Sequence, residues 1–209
     1  GADVPEGLFR KGMHVTVNPY TACGKGPGLG TNELTVNAVE TFIKSSKNPL
    51  VIDADALNAI SRRPDLLNSL PANSLLTPHE GEFDRLFGEC DSREARLKKA
   101  IDTAKYYAVF ILLKGRYSAL VCPDGKIYFN SSGSVAMATP GSGDVLTGLL
   151  TALMAQGYNS KAAAIIGVYI HGLAGQMAED VQGQYGVSAS DIAHHIGPAI
   201  KSVLESNKR

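Results

Sequence analysis

The chain has 209 residues, enough for one domain with a full hydrophobic core. Twenty lysine and arginine residues balance 20 aspartate and glutamate residues, so the formal charge is zero and no basic surface for nucleic acid or acidic lipid is indicated. No apolar run reaches the length of about 20 residues that a membrane-spanning helix needs, and the three cysteines have no metal-binding spacing. We therefore expect a single cytoplasmic domain over residues 1–209 that contacts neither nucleic acid nor a membrane.

The first half of the chain alternates between helical and strand patterns. Apolar residues at intervals of three and four predict helices, and short apolar runs bounded by polar turns predict buried strands. The predicted segments are a helix with Val36, Val39, Phe42 and Ile43 capped by Thr31 or Asn32, strands at Leu50–Ile52 and Ser74–Leu76, a helix with Leu97, Ile101, Ala104 and Ala108, and a strand at Val109–Leu113. This order predicts an α/β fold with a mainly parallel sheet flanked by helices.

The second half predicts a hairpin followed by helices. Pro123-Asp124-Gly125 is typical of a turn, so the flanking runs between Ala119 and Phe129 are interpreted as a small antiparallel hairpin. The helices expected after it are one with Val145, Leu149, Ala152 and Leu153 on one face, one over Lys161–Ala178, and one capped by Ser188 or Ser190 that carries Ile192, Ile196, Ile200 and Leu204.

Polar residues follow three of the predicted strands. Open α/β sheets bind ligands at the carboxyl ends of their strands, so polar clusters at those ends are expected to surround one crevice. The clusters are Asp53, Asp55 and Asn58; Thr77, His79 and Glu82; and Lys114, Gly115 and Ser118. Their convergence predicts a site at this edge of the sheet.

Gly141-Ser142-Gly143-Asp144 precedes a helix and has two interpretations. The backbone N–H groups at a helix N-terminus can bind a phosphate, and Asp144 beside it could accept a proton from a hydroxyl that attacks the phosphorus. Alternatively the segment is an ordinary glycine turn, and Asp144 is an acid favoured in a first helical turn. Neither a Walker A loop nor a G-x-G-x-x-G fingerprint occurs in the chain.

Other polar residues at the predicted site also carry open alternatives. Lys114 could steady a polyphosphate or could be a solvated surface lysine, and His79 could bind substrate or serve only the fold. Asp53, Asp55 and Glu82 could hold Mg²⁺ partly through water, or they could cap loops. The metal ligands, if any, stay undetermined from the residues alone.

Several segments together resemble one family, the ADP-dependent NAD(P)H-hydrate dehydratases. The similarity rests on six segments that occur in the family's order and extends from about Tyr20 to the end of the chain. These segments are Gly26–Thr31, Val51–Asn58, Leu76–Glu82, Leu112–Gly115, Thr139–Gly148 and Tyr169–Gly175.

The resemblance implies a ribokinase-like fold and a hydro-lyase activity that repairs nicotinamide cofactors. The S form of NADHX or NADPHX would be dehydrated to NAD(P)H while ADP, the phosphoryl donor, yields AMP and phosphate. Asp144 would be catalytic and would line the substrate pocket with Gly28, Gly30 and His79. The nucleotide would be bound by Lys114, Gly115, Arg116, Tyr117, Ser118, Ser142 and Gly143. Mg²⁺ is expected from the family.

The chain departs from the family at its beginning, because only about 25 residues precede the Gly26–Gly30 segment where relatives have more. We expect an N-terminal strand and helix of the domain to be missing, and an open sheet edge to favour a homo-oligomer. An NAD(P)H-hydrate epimerase is expected as a fused or separate partner. Two alternatives stay open: a ribokinase-like kinase of a vitamin-precursor alcohol, and a nucleotide-binding protein without catalysis.

Overall fold

The computed structural model describes residues 22–30 and 32–206, and these form an α/β fold around one sheet. The sheet contains, in spatial and chain order, β1 (Cys23–Lys25), β2 (Leu50–Ile52), β3 (Leu75–Leu76), β4 (Phe110–Leu113), β5 (Ala119–Val121) and β6 (Ile127–Phe129). Strands β1 to β4 are parallel, and β5 and β6 continue the sheet as an antiparallel hairpin. The predicted α/β class, mainly parallel sheet and hairpin are confirmed.

Seven helices surround the sheet among the described residues. They are α1 (Glu33–Ser45), α2 (Ala54–Arg62), α3 (Glu80–Phe87), α4 (Arg93–Tyr107), α5 (Ser142–Ala155), α6 (Ser160–Gln182) and α7 (Ala189–Ser206). Short 3₁₀ helices lie at Pro64–Ser69 and Val135–Met137. The long connections between parallel strands are thus helical, as crossovers in a parallel sheet require.

The two faces of the sheet carry separate parts of the core. Successive strand residues point to opposite faces, so Ile52 and Ile111 pack with α1 to α4 on one side, whereas Val51 and Leu112 pack with α5 and α6 on the other. Both sets are fully buried, which fixes the register of the short strands. A third cluster joins α5, α6 and α7.

Capping residues agree with the sequence at two helix starts. The Asn32 side chain accepts a hydrogen bond from the Thr35 N–H at 2.9 Å and caps α1, whereas the alternative cap Thr31 lies outside the described residues. At α7, Ser188 accepts from the Asp191 N–H at 3.3 Å. Ser188 rather than Ser190 is therefore the cap.

Two predicted helix faces are wrong in detail. In α5 the residues that pack on the sheet include Leu146, Leu150 and the predicted Leu153. Of the other predicted residues, Val145 packs toward α6 and α7, Leu149 contacts both clusters, and Ala152 is exposed. In α7 the buried positions are Ile192 and Ala199, and the predicted Ile200 and Leu204 are 39% and 59% exposed. Because α5 touches both the sheet and other helices, its apolar surface is wider than one stripe, and periodicity alone does not select the sheet-facing side.

Helices α2 and α3 have no counterpart among the predicted elements. They span nine and eight residues, so each offers only a few buried apolar positions to a periodicity argument. Each follows a strand closely, with Asp53 as the N-cap of α2 one residue after β2 and His79 as the N-cap of α3 three residues after β3. The clusters around Asp53 and His79 consequently lie on strand-to-helix turns, whereas the cluster from Lys114 to Ser118 lies in the loop between β4 and β5.

Candidate active site

The carboxyl ends of the parallel strands bring distant segments together. The ladder continues past the strands: the Asp53 N–H donates to Lys25 O at 2.9 Å, the Thr77 N–H donates to Ile52 O at 3.0 Å, and the Lys114 N–H donates to Pro78 O at 2.9 Å. Residues from four strand ends therefore lie side by side. This is the convergence that the polar clusters predict.

A buried carboxylate lies at the centre of this edge. Asp53 is 1% exposed, and its Oδ1 accepts a hydrogen bond from Lys114 Nζ at 2.6 Å. Its Oδ2 accepts from Thr147 Oγ1 on α5 at 2.7 Å. Glu82 Oε2 is 3.8 Å from the same Lys114 nitrogen. Lys114 is thus fixed between two carboxylates and is not the solvated surface lysine of the alternative interpretation.

The N-terminus of α5 lies against this pair. Gly141 has a φ of 87°, a left-handed conformation that glycine adopts without strain, and α5 begins at the next residue. A Cβ built on Gly143 would lie 3.6 Å from Lys114 Nζ and 3.8 Å from Asp53 Oδ2. A side chain at position 143 would fill the space between α5 and the Lys114 ammonium group. The Ser142 N–H donates to Thr139 O, and the Asp144 and Val145 N–H groups donate to Gly141 O, so among the described hydrogen bonds only the Gly143 N–H of the first turn of α5 has no backbone acceptor. The Gly143 N–H and the Lys114 ammonium group can therefore face one anion.

Asp144 lies in the first turn of α5, and its N–H donates to Gly141 O at 3.0 Å. Partial burial raises the pKa of its carboxyl above the ordinary value, and repulsion from Asp53 and Asp55 raises it further, whereas Lys114 lowers it. A carboxylate with a raised pKa is a stronger base. The site thus places a proton acceptor beside an anion-binding helix end.

His79 caps α3 and is exposed at the same time. Its Nδ1 accepts from the Glu82 N–H at 3.2 Å, and Glu82 Oε2 accepts from the His79 N–H at 2.8 Å, which forms a reciprocal capping box. Because Nδ1 is an acceptor, the proton of the neutral ring is on Nε2. The side chain is 57% exposed, so the structural role and a ligand contact are compatible.

The glycine segment before α1 lies beside α2. Gly28 and Gly30 have φ values of 70° and 72°, and a Cβ on either would meet no heavy atom within 4 Å. The Gly30 N–H donates to Asp55 Oδ2 at 2.9 Å. At Gly26, in contrast, a Cβ would lie 2.0 Å from Asp53 O. The backbone conformation requires glycine at positions 28 and 30, and the close approach to Asp53 requires glycine at position 26.

The loop between β4 and β5 holds the remaining predicted nucleotide contacts. Gly115, Arg116 and Tyr117 are exposed, and Ser118 Oγ donates to Gly115 O at 3.3 Å. Arg93 on α4 donates to Tyr117 O at 2.6 Å and so ties the loop to the outer helix layer. The loop follows Lys114 directly and is open to a ligand.

The three carboxylates considered for Mg²⁺ do not form a metal site. Within residues 22–30 and 32–206, no group of three or more histidine, cysteine, aspartate or glutamate side chains could hold a metal ion. Asp53 and Glu82 face Lys114, whereas Asp55 binds the Gly30 N–H. In the same part of the chain, no helix is long and apolar enough to cross a bilayer.

His171 on α6 contacts the first residue of α5 and was given no role from the sequence. It is 6% exposed, and its Nε2 lies 3.0 Å from Ser142 O. Burial lowers the pKa of the ring to about 4, and Lys114 lowers it further, while the hydrogen bond to Ser142 opposes the shift. The sequence feature that could have identified His171 is its position in Tyr169–Gly175, one of the six segments that resemble the family. Thr147, the partner of Asp53, was also missed.

Comparison with known proteins agrees with this geometry. The chain matches the family described as NAD(P)H-hydrate dehydratase over residues 11–198. It is 37% identical over 182 residues to the bifunctional NAD(P)H-hydrate repair enzyme Nnr of Thermofilum pendens, covering 86% of this chain and 35% of that protein. It is 35% identical to the ADP-dependent (S)-NAD(P)H-hydrate dehydratase of Neisseria meningitidis, covering 84% of this chain and 60% of that protein.

Structural comparison gives the same family. The ADP/ATP-dependent NAD(P)H-hydrate dehydratase of Bacillus subtilis, co-crystallised with ATP and Mg²⁺, superimposes with a TM-score of 0.76 and 28% identity, covering 88% of this chain and 65% of that one. Hydroxyethylthiazole kinase from Pyrococcus horikoshii shares the fold with a TM-score of 0.72 at 16% identity. The chain spans about a third of the bifunctional enzyme and between 60% and 72% of the other three proteins. With a ribokinase-like fold and a family match over most of its length, the chain belongs to the NAD(P)H-hydrate dehydratase family.

Proposed function

We propose that this chain catalyses the ADP-dependent dehydration of (S)-NAD(P)H hydrate to NAD(P)H, with release of AMP and phosphate. The observation that carries the proposal is the convergence of Lys114, the N-terminus of α5 and Asp144 at the carboxyl edge of the sheet. Phosphoryl transfer needs an anion site for the transferred group and a base for the attacking hydroxyl. Lys114, directly after β4, and the Gly143 N–H supply the anion site, and Asp144, the next residue of α5, supplies the base.

In the proposed reaction, the oxygen of the substrate hydroxyl attacks the terminal phosphorus of ADP, and Asp144 accepts the proton of that hydroxyl. The phosphorus–oxygen bond to AMP breaks, so AMP leaves and the hydrate becomes a phosphate ester. Its carbon–oxygen bond then breaks with loss of a proton from the neighbouring carbon, which releases phosphate and restores the double bond. Gly28, Gly30 and His79 line the hydrate side in this proposal, and Lys114, residues 115–118, Ser142 and Gly143 bind the nucleotide.

Mg²⁺ fits this site only as a companion of the nucleotide. The ion prefers oxygen ligands, keeps several waters and is commonly held by one or two carboxylates together with phosphates. Asp53 and Glu82 are the acidic groups beside Lys114, but both oxygens of Asp53 already accept hydrogen bonds, one from the ammonium group and one from Thr147. We therefore propose that Mg²⁺ enters with ADP, held mainly by phosphate oxygens and water.

The other expectations stay proposals of the same kind. We propose a cytoplasmic enzyme, with residues 1–209 as one domain that works with an NAD(P)H-hydrate epimerase, because relatives named as bifunctional repair enzymes are about two and a half times as long. Among the described residues β1 has a strand on one side only, which supports homo-oligomers formed at that edge. Light scattering of the 209-residue chain tests this, and an active monomer would contradict it.

The function itself is tested by incubating the protein with prepared NADHX and ADP and recording the absorbance of NADH. Return of NADH with equimolar AMP and phosphate supports the dehydratase. A phosphorylated vitamin-precursor alcohol formed instead would indicate the kinase alternative. ADP binding with no turnover of any hydrate would indicate a binding protein.

Replacing Lys114 is expected to weaken ADP binding, since hydrogen bonds to charged groups contribute about 1.5–3 kcal/mol, or roughly 10- to 100-fold in affinity. The single change Lys114→Ala would also leave Asp53 buried without its cation, which destabilises the fold. The informative variant therefore combines Lys114→Ala with Asp53→Asn, and Asp53→Asn alone is its control. Calorimetry with ADP measures the difference, and equal affinities would remove Lys114 from the nucleotide site.

A further inference from the structure

Three residues of α6 contact the Gly141–Asp144 turn, at Ser142, and the segment that leads into it. We call His171, Gly172 and Gly175 the α6 clamp. The His171 ring is buried, with Nε2 3.0 Å from Ser142 O and 3.5 Å from Ser142 Oγ. A carbonyl oxygen can only accept a hydrogen bond, so Nε2 carries the ring proton and donates a hydrogen bond to Ser142 O. His171 thus holds the first residue of α5.

The two glycines of the clamp contact the segment that leads into the turn. A Cβ on Gly172 would lie 2.7 Å from the carbonyl carbon of Ser132 and 2.8 Å from the nitrogen of Gly133, which are backbone atoms. A Cβ on Gly175 would lie 2.3 Å from Met137 Sδ. Ser132 Oγ also donates to Tyr169 O on α6 at 2.9 Å. Helix α6 therefore packs directly on residues 132–137.

We propose that the α6 clamp is a positioning element that fixes the phosphate-binding turn. The glycines set the segment before the turn, and His171 sets the first residue of α5 through the Ser142 carbonyl. Preorganised N–H groups bind an anion without reorganisation, so small displacements weaken binding. The identity of the anion as ADP phosphate rests on the proposed function. None of the three residues needs to touch the ligand.

The histidine is tested with two substitutions and one matched control. His171→Phe fills the space without a donor, and His171→Gln keeps a neutral donor near the Nε2 position. Ser160 begins α6, is 3% exposed and donates to Asn73 O at 2.6 Å next to the amino end of β3. Ser160→Ala therefore removes a hydrogen bond from a buried side chain to a backbone carbonyl at the amino ends of the strands, at the opposite end of the sheet from the site.

We expect the Kd for ADP to rise at least 10-fold in His171→Phe, and to stay within about threefold of wild type in His171→Gln and Ser160→Ala. Thermal unfolding measured in parallel gives the stability loss of each variant. If His171 only stabilised the fold, His171→Phe would raise the Kd no more than Ser160→Ala does when the two variants lose the same stability. That result, or failure of His171→Gln to restore binding, would overturn the assignment.

The glycines are tested by Gly172→Ala against Gly167→Ala on the same helix. A Cβ at Gly167 would lie 2.7 Å from Leu150 Cδ2, within the body of the α5–α6 contact rather than at the turn. We expect only Gly172→Ala to raise the Kd for ADP by 10-fold or more. Equal effects of the two alanines would show that α6 packing in general, and not the clamp, controls the site.

A readout without ligand separates this inference from the proposed function. The Asp144 and Val145 N–H groups donate to Gly141 O at 3.0 and 3.1 Å, so their hydrogen exchange reports the order of the turn. We expect exchange at both amides to be at least 10-fold faster in His171→Phe than in Ser160→Ala. If wild type neither binds ADP nor dehydrates NADHX, the proposed function fails, while this comparison still supports or overturns the clamp.

Discussion

Replacement of Asp144 by asparagine is expected to lower kcat by roughly 10²- to 10⁴-fold, the usual contribution of a general base. Asparagine keeps the size of the side chain but cannot take a proton from the substrate hydroxyl. The fold and the affinity for ADP should change little, because the described hydrogen bonds at this position involve its backbone rather than its carboxylate. Steady-state NADH formation and ADP calorimetry on the same preparation measure both quantities.

The pH profile adds a second readout for Asp144. Only the ionised carboxylate can act as base, so kcat/KM of the wild type should fall as the pH drops through its pKa. Burial and the charge of Asp53 raise that pKa, and the fall should therefore begin above the ordinary value near 3.8. Asp102→Asn, an exposed acid on α4, is the control and should match wild type. A kcat within threefold of wild type in Asp144→Asn would contradict the role and return attention to Asp53, Asp55 and Glu82.

The fold could be predicted where buried runs are continuous. The strands at Leu50–Ile52 and Phe110–Leu113 are apolar on both faces, as a parallel strand covered by helices must be, and a single sequence shows this directly. Helices α2 and α3 could not be found in the same way. They are short, and their start is set by Asp53 and His79, whose capping positions depend on where the strands end.

The site could be predicted as a place but not as a set of contacts. That strand ends converge follows from the topology of any open α/β sheet, so the clusters at Asp53, His79 and Lys114 indicated the correct edge. The pairing of Lys114 with Asp53 joins residues 61 positions apart, and each has a plausible solvated alternative when considered alone. His171 is similar, since an apolar helix pattern shows that the residue is buried but not which carbonyl it meets.

Lowering the pH from 7 to 4.5 is expected to cost the folded state about 2–3 kcal/mol at His171 alone. Burial depresses the pKa of this ring to about 4 in the folded chain, against 6.5 for an unperturbed histidine. Between these values the unfolded chain binds a proton that the folded chain does not, so stability rises with pH in this window and is lost as the pH falls. At about 1.36 kcal/mol for each pH unit, most of the effect is present by pH 4.5.

The measurement is urea unfolding of wild type, His171→Gln and His194→Gln at pH 7 and pH 4.5. Glutamine cannot titrate, so the loss of stability on acidification should be smaller by about 2–3 kcal/mol in His171→Gln than in wild type. His194 is exposed on α7, so His194→Gln is the control for loss of a histidine that is not buried. The other groups that titrate in this range are common to wild type and His171→Gln and cancel in that comparison. An identical loss in wild type and His171→Gln would mean that the ring is protonated as readily in the folded chain as in the unfolded one. Because a ring with the ordinary pKa of 6.5 is still mostly neutral at pH 7, this outcome would overturn the predicted pH dependence and not the hydrogen bond from His171 to Ser142.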